Sequence, residues 1–225
     1  MNEQTQSLEA LRDIRRMMQR SSRFLSLSGL SGMAAGAWAL VGAWIARGWI
    51  GADRFDVRDV ELLKNRYGYE IALRVEDIEF KLVMLAGAVL FMACLSAFYF
   101  TWRRARRQGL PMWDHSSRQM AIHMLIPLIT GGLLILAMLN YGEWQFVAPL
   151  CLVFYGLALV NGSKYTVSDI RYLGLMEIAL GLANMLLLGY GLFFWAFGFG
   201  VLHIIYGFSM WWRYERKGAD DLATT

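Results

Sequence analysis

Long uncharged stretches alternate with short charged clusters along this chain. Each stretch holds roughly 20 residues or more, the length that an α-helix needs to cross about 30 Å of hydrocarbon. The last stretch, Tyr172–Trp212, is too long for one helix, and its Gly189-Tyr190-Gly191 sequence predicts a turn. The pattern therefore predicts an all-α, polytopic transmembrane bundle of six helices, at about 24–46, 82–102, 119–140, 144–163, 172–189 and 192–212.

The segments outside these spans are polar and divide the chain further. Residues 1–22 place apolar side chains at helical spacing among charged ones, which predicts a cytoplasmic amphipathic helix. Residues 48–80 form an external loop with helical character, and Tyr69–Lys81 is expected to continue into the second span as one projecting helix. The transmembrane domain covers 23–217, and 218–225 is expected to be a flexible cytoplasmic tail. An arginine directly precedes each odd-numbered span (Arg23, Arg118 and Arg171), which suggests three helical hairpins of common design.

The distribution of basic residues predicts how the spans are oriented. With six spans, 15 of the 22 lysines and arginines fall on one side, and the other 7 fall in the single long loop. Cytoplasmic loops of membrane proteins carry an excess of Lys and Arg. We therefore expect a multi-pass protein of a bacterial cytoplasmic (inner) membrane with both termini in the cytoplasm. The basic residues expected at the membrane surface are Arg12, Arg15, Arg16, Arg103, Arg104, Arg106 and Arg107.

Small residues recur on single helical faces of the first and fifth spans. They are Ser28, Gly32 and Gly36 in the first span, and Gly174 and Gly181 in the fifth. Small residues let two membrane helices approach closely. The pattern predicts helix packing within the bundle, and the alternative is a homo-oligomer formed through span one.

Three titratable side chains lie inside the predicted spans, and they are the main candidates for chemistry. Counted from the flanking arginines, His123, Glu177 and His203 fall at similar depths in spans three, five and six. Tyr206 shares a face with His203, and Asn184 shares a face with Glu177. A carboxylate in hydrocarbon is unfavourable by a few kcal/mol, so we expect Glu177 to face a partner within the bundle. The cluster is interpreted as a structural clamp or, alternatively, as a proton site, because histidine and a carboxylate can share a proton.

Other classes of site have weaker support in the sequence. The two cysteines lie within spans two and four, which disfavours a disulfide framework or a cysteine metal site. The sequence has no GxSxG, HExxH or Walker motif, so we do not predict an enzyme. Two histidines and a glutamate are residue types that can hold a metal or a haem iron, but no close His/Glu ligand spacing or CxxCH motif supports such a site, so we predict no metal and no cofactor. Asp114 and His115 form an isolated pair at the membrane edge, interpreted as interfacial packing. Because the basic residues flank the spans, the net charge of +4 does not indicate nucleic-acid binding.

Three stretches of the chain carry a resemblance to known sequences. They are SKYTVSDIRYLGLMEIALG and FWAFGFGVLHIIYG, within Tyr155–Gly207, and SSRFLSLSGLSG at the start of span one. These stretches resemble a family of uncharacterised bacterial six-span integral membrane proteins. The family has no assigned activity, so no catalytic residue is implied. Some similar proteins accompany winged-helix regulators, which implies a sensory or regulatory role.

These observations predict a non-enzymatic inner-membrane protein with a sensory, regulatory or scaffolding role. Its partners would be the lipid bilayer and a cytoplasmic regulatory protein. The alternative is a small proton-linked transporter or channel that uses the buried Glu–His cluster.

Overall fold

The computed structural model describes residues 28–52, 69–109, 113–167 and 169–216. These residues form six helices, with no strand among them. The helices are α1 (Gly29–Ala52), α2 (Tyr69–Gln108), α3 (His115–Asn140), α4 (Val147–Gly162), α5 (Ile170–Leu186) and α6 (residues 191–216). The expected all-α bundle of six helices is confirmed. The amphipathic segment 1–22, most of the external loop and the tail 218–225 lie outside the described residues.

Five stretches in the described part of the chain are long and apolar enough to cross a membrane, judged by length and composition. They are Gly29–Ile50, Ile78–Arg107, His115–Asn140, Trp144–Gly162 and Leu188–Arg213. This composition is that of a multi-pass membrane protein. The remaining helix, α5, has 17 residues. At about 1.5 Å per residue it extends about 26 Å, near the lower limit for a membrane span.

The position of α5 between two turns indicates that it runs the length of the bundle. At one end, the short 3₁₀ turn Leu188–Tyr190 contacts the 3₁₀ turn Trp144–Phe146 that precedes α4. At the opposite end, Asp169 lies 3.7 Å from the guanidinium of Arg213, near the end of α6. Helix α5 therefore lies alongside α4, its main neighbour, over its whole length.

The ends of α2 and α3 follow from local sequence. Gly109 and Gly142 have φ angles of 63° and 77°, in the left-handed region that glycine tolerates and that commonly ends helices. Helix α3 begins with a capping box, in which the Asp114 carboxylate accepts the Ser117 N–H at 2.7 Å and the Ser117 hydroxyl oxygen accepts the Asp114 N–H at 2.9 Å. Asp114 therefore serves as the N-cap of α3.

Helix α2 is unusually long for a membrane helix. Its 40 residues correspond to about 60 Å, twice the thickness of the hydrocarbon core. The expectation that Tyr69–Lys81 continues into the second span as one helix is confirmed.

Glycine pairs hold four of the helices at close range. On α1, a Cβ atom at Gly36 would lie 2.6 Å from the carbonyl oxygen of Gly200, and one at Gly32 would lie 3.2 Å from the Cα of Gly207. Between α4 and α5, a Cβ at Gly156 would lie 2.6 Å from the carbonyl oxygen of Gly174. These contacts require glycine, because any side chain would push the backbones apart.

The small residues predicted for helix packing therefore act within one chain. Gly32 and Gly36 face α6, while Gly174 and Gly181 face α4. Ser28 is buried at the start of α1, where its carbonyl accepts a hydrogen bond from the Ser31 hydroxyl at 2.5 Å. The glycine face of α1 is covered by α6 of the same chain.

The packing of the helices only partly follows the expected hairpins. Helix α1 packs on α2, and α3 packs on α4, as consecutive pairs. In contrast, the main neighbour of α5 is α4, and the main neighbour of α6 is α1. Leu159, Ile170, Leu173 and Leu202 form a buried apolar cluster where α4, α5 and α6 meet. The polar site described next lies between the same three helices.

Candidate functional site

Glu177, His203 and Tyr155 form a polar cluster between three helices. Nδ1 of His203, on α6, lies 3.4 Å from Oε1 of Glu177, on α5. Nε2 of the same imidazole lies 2.7 Å from the hydroxyl of Tyr155, on α4. The imidazole of His203 therefore connects a phenol on one side with a carboxyl group on the other.

The carboxyl group of Glu177 is fully enclosed. Its side chain is 0% exposed, and neither carboxylate oxygen makes a hydrogen bond in the described structure. Buried polar groups are nearly always hydrogen-bonded, and an unpaired buried charge is strongly unfavourable. Glu177 therefore depends on His203 for electrostatic stabilisation, and its oxygens retain unused hydrogen-bonding capacity.

A widened segment of α6 shapes the site. Residues Ala196–Leu202 form a π-helix, a rare conformation that often marks functional sites. The carbonyl oxygen of Gly198 in this segment lies 3.0 Å from Nδ1 of His203. A Cβ atom at Gly198 would lie 2.5 Å from both Oε2 of Glu177 and Cδ2 of Leu152. The absence of a side chain at position 198 thus creates the space that the carboxyl group occupies.

The hydrogen-bond network determines where the protons of His203 lie. A carbonyl oxygen only accepts hydrogen bonds, so its 3.0 Å contact requires that Nδ1 of His203 carry a hydrogen. In the neutral imidazole Nε2 is then an acceptor, and the Tyr155 hydroxyl donates to it. This assignment is inferred from the network of partners. In this form, the Nδ1–H also faces the carboxyl of Glu177 at the longer distance of 3.4 Å.

Asn184 and Tyr206 lie near the pair but have different surroundings. Asn184 is 0% exposed, and its side-chain amide donates a 3.0 Å hydrogen bond to the carbonyl of Leu187, just beyond the end of α5. The side-chain oxygen of Asn184 is buried without a hydrogen-bond partner in the described structure. Tyr206 packs against the buried apolar cluster. Asn184 therefore stabilises the end of α5.

The structure separates His123 from the other titratable residues. Its ring stacks on Tyr165, with ring centroids 5.0 Å apart and an angle of 19° between the planes. Within the described part of the chain, no hydrogen bond, ion pair or ring contact joins it to Glu177 or His203. The predicted convergence is thus correct for Glu177 and His203 and wrong for His123. Similar depth in the membrane did not imply contact, because α3 packs mainly on α4, whereas Glu177 and His203 lie on α5 and α6.

Two members of the cluster, Tyr155 and Gly198, were missing from the sequence prediction. A phenol is neutral at ordinary pH, so Tyr155 did not stand out among the ionisable residues of the spans. Gly198 belongs to a glycine-rich run that also packs on α1, which hid its role beside Glu177. The useful signal would have been the five-residue separation of Gly198 and His203, which a π-helical turn brings onto one face.

The basic residues near the ends of the helices are mostly exposed. Arg103, Arg106 and Arg107 are exposed at the end of α2, and Arg104 is half-buried. The guanidinium of Arg106 lies 5.4 Å from the ring centre of Trp102, a cation–π contact. Arg12, Arg15 and Arg16 lie outside the described residues. The exposed arginines and the neighbouring tryptophan are typical of a membrane–water interface.

No group of three or more His, Cys, Asp or Glu side chains that could hold a metal ion occurs in the described ranges. Cys94 is an exposed free thiol, and Cys151 is a half-buried one. The groups of the described site that can bind or release a proton are the carboxyl of Glu177, the imidazole of His203 and the phenol of Tyr155.

Comparisons with protein families, curated proteins and solved structures gave no match to this chain. The resemblance to a six-span family stays a prediction, and the function has to be argued from the site.

Proposed function

We propose that this is a non-enzymatic integral membrane protein with a sensory or regulatory role, and that a proton held by Glu177 and His203 controls its state. The observation that carries this proposal is the enclosed carboxyl of Glu177, which lies 3.4 Å from Nδ1 of His203 and makes no hydrogen bond with the residues that the structure describes. A purely structural clamp would be expected to satisfy the hydrogen bonds of its buried oxygens.

The charge of the pair explains why one proton matters. With one shared proton the pair is electrically neutral overall, either as carboxyl and imidazole or as carboxylate and imidazolium. Loss of that proton leaves a carboxylate that no hydrogen bond in the described structure stabilises, and this is costly in an apolar interior. We therefore expect a rise in pH to favour a state in which α5 and α6 move apart and water reaches the carboxyl.

The alternative function, a proton-linked transporter or channel, has less support in the geometry. Transport requires that the site open to water on each side of the membrane in turn. Glu177 and Asn184 are 0% exposed, and Leu152 beside Gly198 is also 0% exposed. A closed site of this kind supports a protonation-dependent change of packing more than a conduction path.

Location and partners are part of the same proposal. The excess of Lys and Arg on one side supports a bacterial inner-membrane location with both termini in the cytoplasm. The exposed arginines at the end of α2 would contact anionic lipid or a cytoplasmic regulatory partner. The regulatory partner is tested by a pull-down of this chain from native membranes under mild conditions. If the pull-down recovers only this chain, the proposed partner is excluded and the protein acts as a sensor on its own.

The test of the proposal is a distance measurement across α5 and α6. Spin labels replace the exposed residues Tyr172 on α5 and Phe208 on α6, in a chain that lacks Cys94 and Cys151. In lipid nanodiscs, the label distance should increase reversibly as the pH is raised. The Glu177→Gln variant, which is neutral at every pH, should keep the short distance throughout. A distance that is independent of pH in the parent chain, or a full response in Glu177→Gln, would contradict the proposal.

A further inference from the structure

We infer that the proton of the Glu177–His203 pair resides on the carboxyl of Glu177, and that Tyr155 is a positioning residue that keeps His203 neutral. This inference rests on the proposed function and assigns the group that gains and loses the proton. The pair can hold one proton as a neutral carboxyl beside a neutral imidazole, or as a carboxylate beside an imidazolium. The hydrogen-bond partners of His203 distinguish the two forms, because an imidazolium donates from both ring nitrogens.

The Tyr155 hydroxyl lies where a second imidazole hydrogen would have to be. Nδ1 of His203 already carries one hydrogen, which the carbonyl of Gly198 accepts at 3.0 Å. Nε2 lies 2.7 Å from the Tyr155 oxygen, and the hydrogen between these two atoms belongs either to the phenol or to the imidazole. In the neutral form it belongs to the phenol, so both ring nitrogens and the hydroxyl are satisfied.

An imidazolium would leave the Tyr155 hydroxyl without an acceptor. If Nε2 carried the hydrogen, it would donate to the phenol oxygen, and the phenol O–H would need a different partner. Within the described part of the chain, the hydrogen-bond partner of this hydroxyl is Nε2 of His203. The charged form of His203 therefore loses a hydrogen bond that the neutral form keeps.

The surroundings of Glu177 also disfavour the ion pair. Its carboxyl is 0% exposed, and its oxygens make no hydrogen bond with the described residues. A buried ion pair offsets the lost hydration only when further hydrogen bonds satisfy the carboxylate. The Nδ1 contact with Oε1 of Glu177 is 3.4 Å, longer than the 3.0 Å contact with the Gly198 carbonyl, so the N–H is shared with the backbone. A neutral carboxyl is therefore the form that these contacts favour.

Few other titratable groups face the imidazole from the neighbouring helices. Helix α4 contributes Tyr155 and, one turn earlier, the half-buried thiol of Cys151. Cys94 on α2 lies close enough to interact electrostatically with Tyr155. Tyr206, one turn after His203 on α6, packs against the buried apolar cluster. The titratable side chain of α1 is Arg47, near the end of that helix.

The assignment gives one change of charge when the pair loses its proton. The O–H bond of the Glu177 carboxyl breaks, the carboxylate keeps the electron pair, and the site gains one negative charge. His203 stays neutral before and after the change.

The inference is tested by observing both groups in the chain reconstituted in lipid bilayers. Replacing His115 and His123 by glutamine leaves His203 as the single histidine, so nitrogen NMR of the labelled imidazole reports on it alone. Below and above the pH midpoint of the label distance, we expect one protonated and one unprotonated ring nitrogen. Infrared spectra should show a protonated-carboxyl band below the midpoint, which is lost above it and is absent from Glu177→Gln.

Tyr155→Phe tests the role of the hydroxyl. The variant keeps the ring and removes the donor, so the Nε2 resonance should shift to that of an acceptor nitrogen without a hydrogen bond. The matched control is Tyr172→Phe on the exposed surface of α5, which should leave the resonance in place. An unchanged Nε2 resonance in Tyr155→Phe overturns the role of Tyr155. Should Tyr155→Phe not fold, 3-fluorotyrosine at position 155 is a stronger donor and should shift the resonance in the opposite direction, and no shift overturns the same role.

The outcomes separate this inference from the proposed function. Two protonated ring nitrogens below the midpoint, without a protonated-carboxyl band, would place the proton on His203; the inference would then be overturned and the proposed function would stand. If neither the carboxyl nor the imidazole changes protonation with pH, the proposed function fails and the inference fails with it.

Discussion

At the residue scale, the properties of the site come from one glycine as much as from its polar groups. Gly198 provides the space for the carboxyl of Glu177 and the carbonyl that contacts Nδ1 of His203 at 3.0 Å. Sequence reasoning could identify Glu177 and His203, because ionisable residues within membrane spans are rare and stand out. It could not identify Gly198 or Tyr155, because their roles depend on the π-helical turn and on which helices are neighbours.

Replacing Gly198 by alanine should disrupt the site directly. The added Cβ would lie 2.5 Å from Oε2 of Glu177 and from Cδ2 of Leu152, so the carboxyl or α6 must move. Overpacking of this kind typically lowers the free energy of unfolding by about 1–3 kcal/mol. Reversible unfolding in lipid–detergent micelles measures this difference.

The control for Gly198→Ala is Gly132→Ala on α3, where no atom lies within 4 Å of the added Cβ. Gly132→Ala should leave the free energy of unfolding unchanged or slightly raised, because alanine favours helix more than glycine does. Equal stability of the two variants would show that Gly198 does not make the space for Glu177.

At the element scale, glycine faces determine which helices are neighbours. The sequence predicted the small-residue faces of α1 and α5, and the structure places both faces in contacts within the chain. The partners of those faces were not predictable from spacing alone, since Gly32 and Gly36 pack against α6 and not against the adjacent α2. The pairing depends on the matching glycines Gly200 and Gly207, which lie more than 150 residues further along the chain.

Gly36→Ala should weaken the contact between α1 and α6. The new Cβ would lie 2.6 Å from the carbonyl oxygen of Gly200, which is backbone and cannot rotate away. We expect a loss of about 1–3 kcal/mol in the free energy of unfolding. Gly48→Ala, on the same helix with nothing within 4 Å, should show no comparable loss. Similar losses in both variants would mean that the tight glycine contact does not stabilise the bundle.

At the scale of the whole molecule, the main features of the fold were predictable and the lateral arrangement was not. Hydropathy and turn residues predicted the six helices, the break before Gly191 and the continuation of Tyr69–Lys81 into the second span as one helix. Depth in the membrane can be counted along the sequence, but the order of helices around the bundle cannot, which is why His123 was placed beside Glu177. Helix α5, with 17 residues, is near the lower limit of length for a membrane span. Its position alongside α4 is shown by its packing on α4 and by the contact between the turns Leu188–Tyr190 and Trp144–Phe146.

The topology predicts which turns a membrane-impermeant thiol reagent can reach. Single cysteines at Tyr141 and Tyr190, which are 76% and 63% exposed, should react from outside the cell. A cysteine at the exposed Lys164, in the turn between α4 and α5, should react only after the membrane is opened. If the cysteine that replaces Tyr190 reacts from the same side of the membrane as the one that replaces Lys164, α5 does not cross the bilayer.

The proton on the Glu177–His203 pair is the central claim, and infrared difference spectroscopy in lipid bilayers tests it most directly. The spectrum of the parent chain at each pH is compared with that of Glu177→Gln. We predict a Glu177 signal that changes reversibly as the pH is raised and that is absent from Glu177→Gln. The pH midpoint of this change should equal that of the change in distance between the spin labels on α5 and α6. Identical pH-difference spectra for the two proteins would show that Glu177 takes up and releases no proton, and would contradict the account.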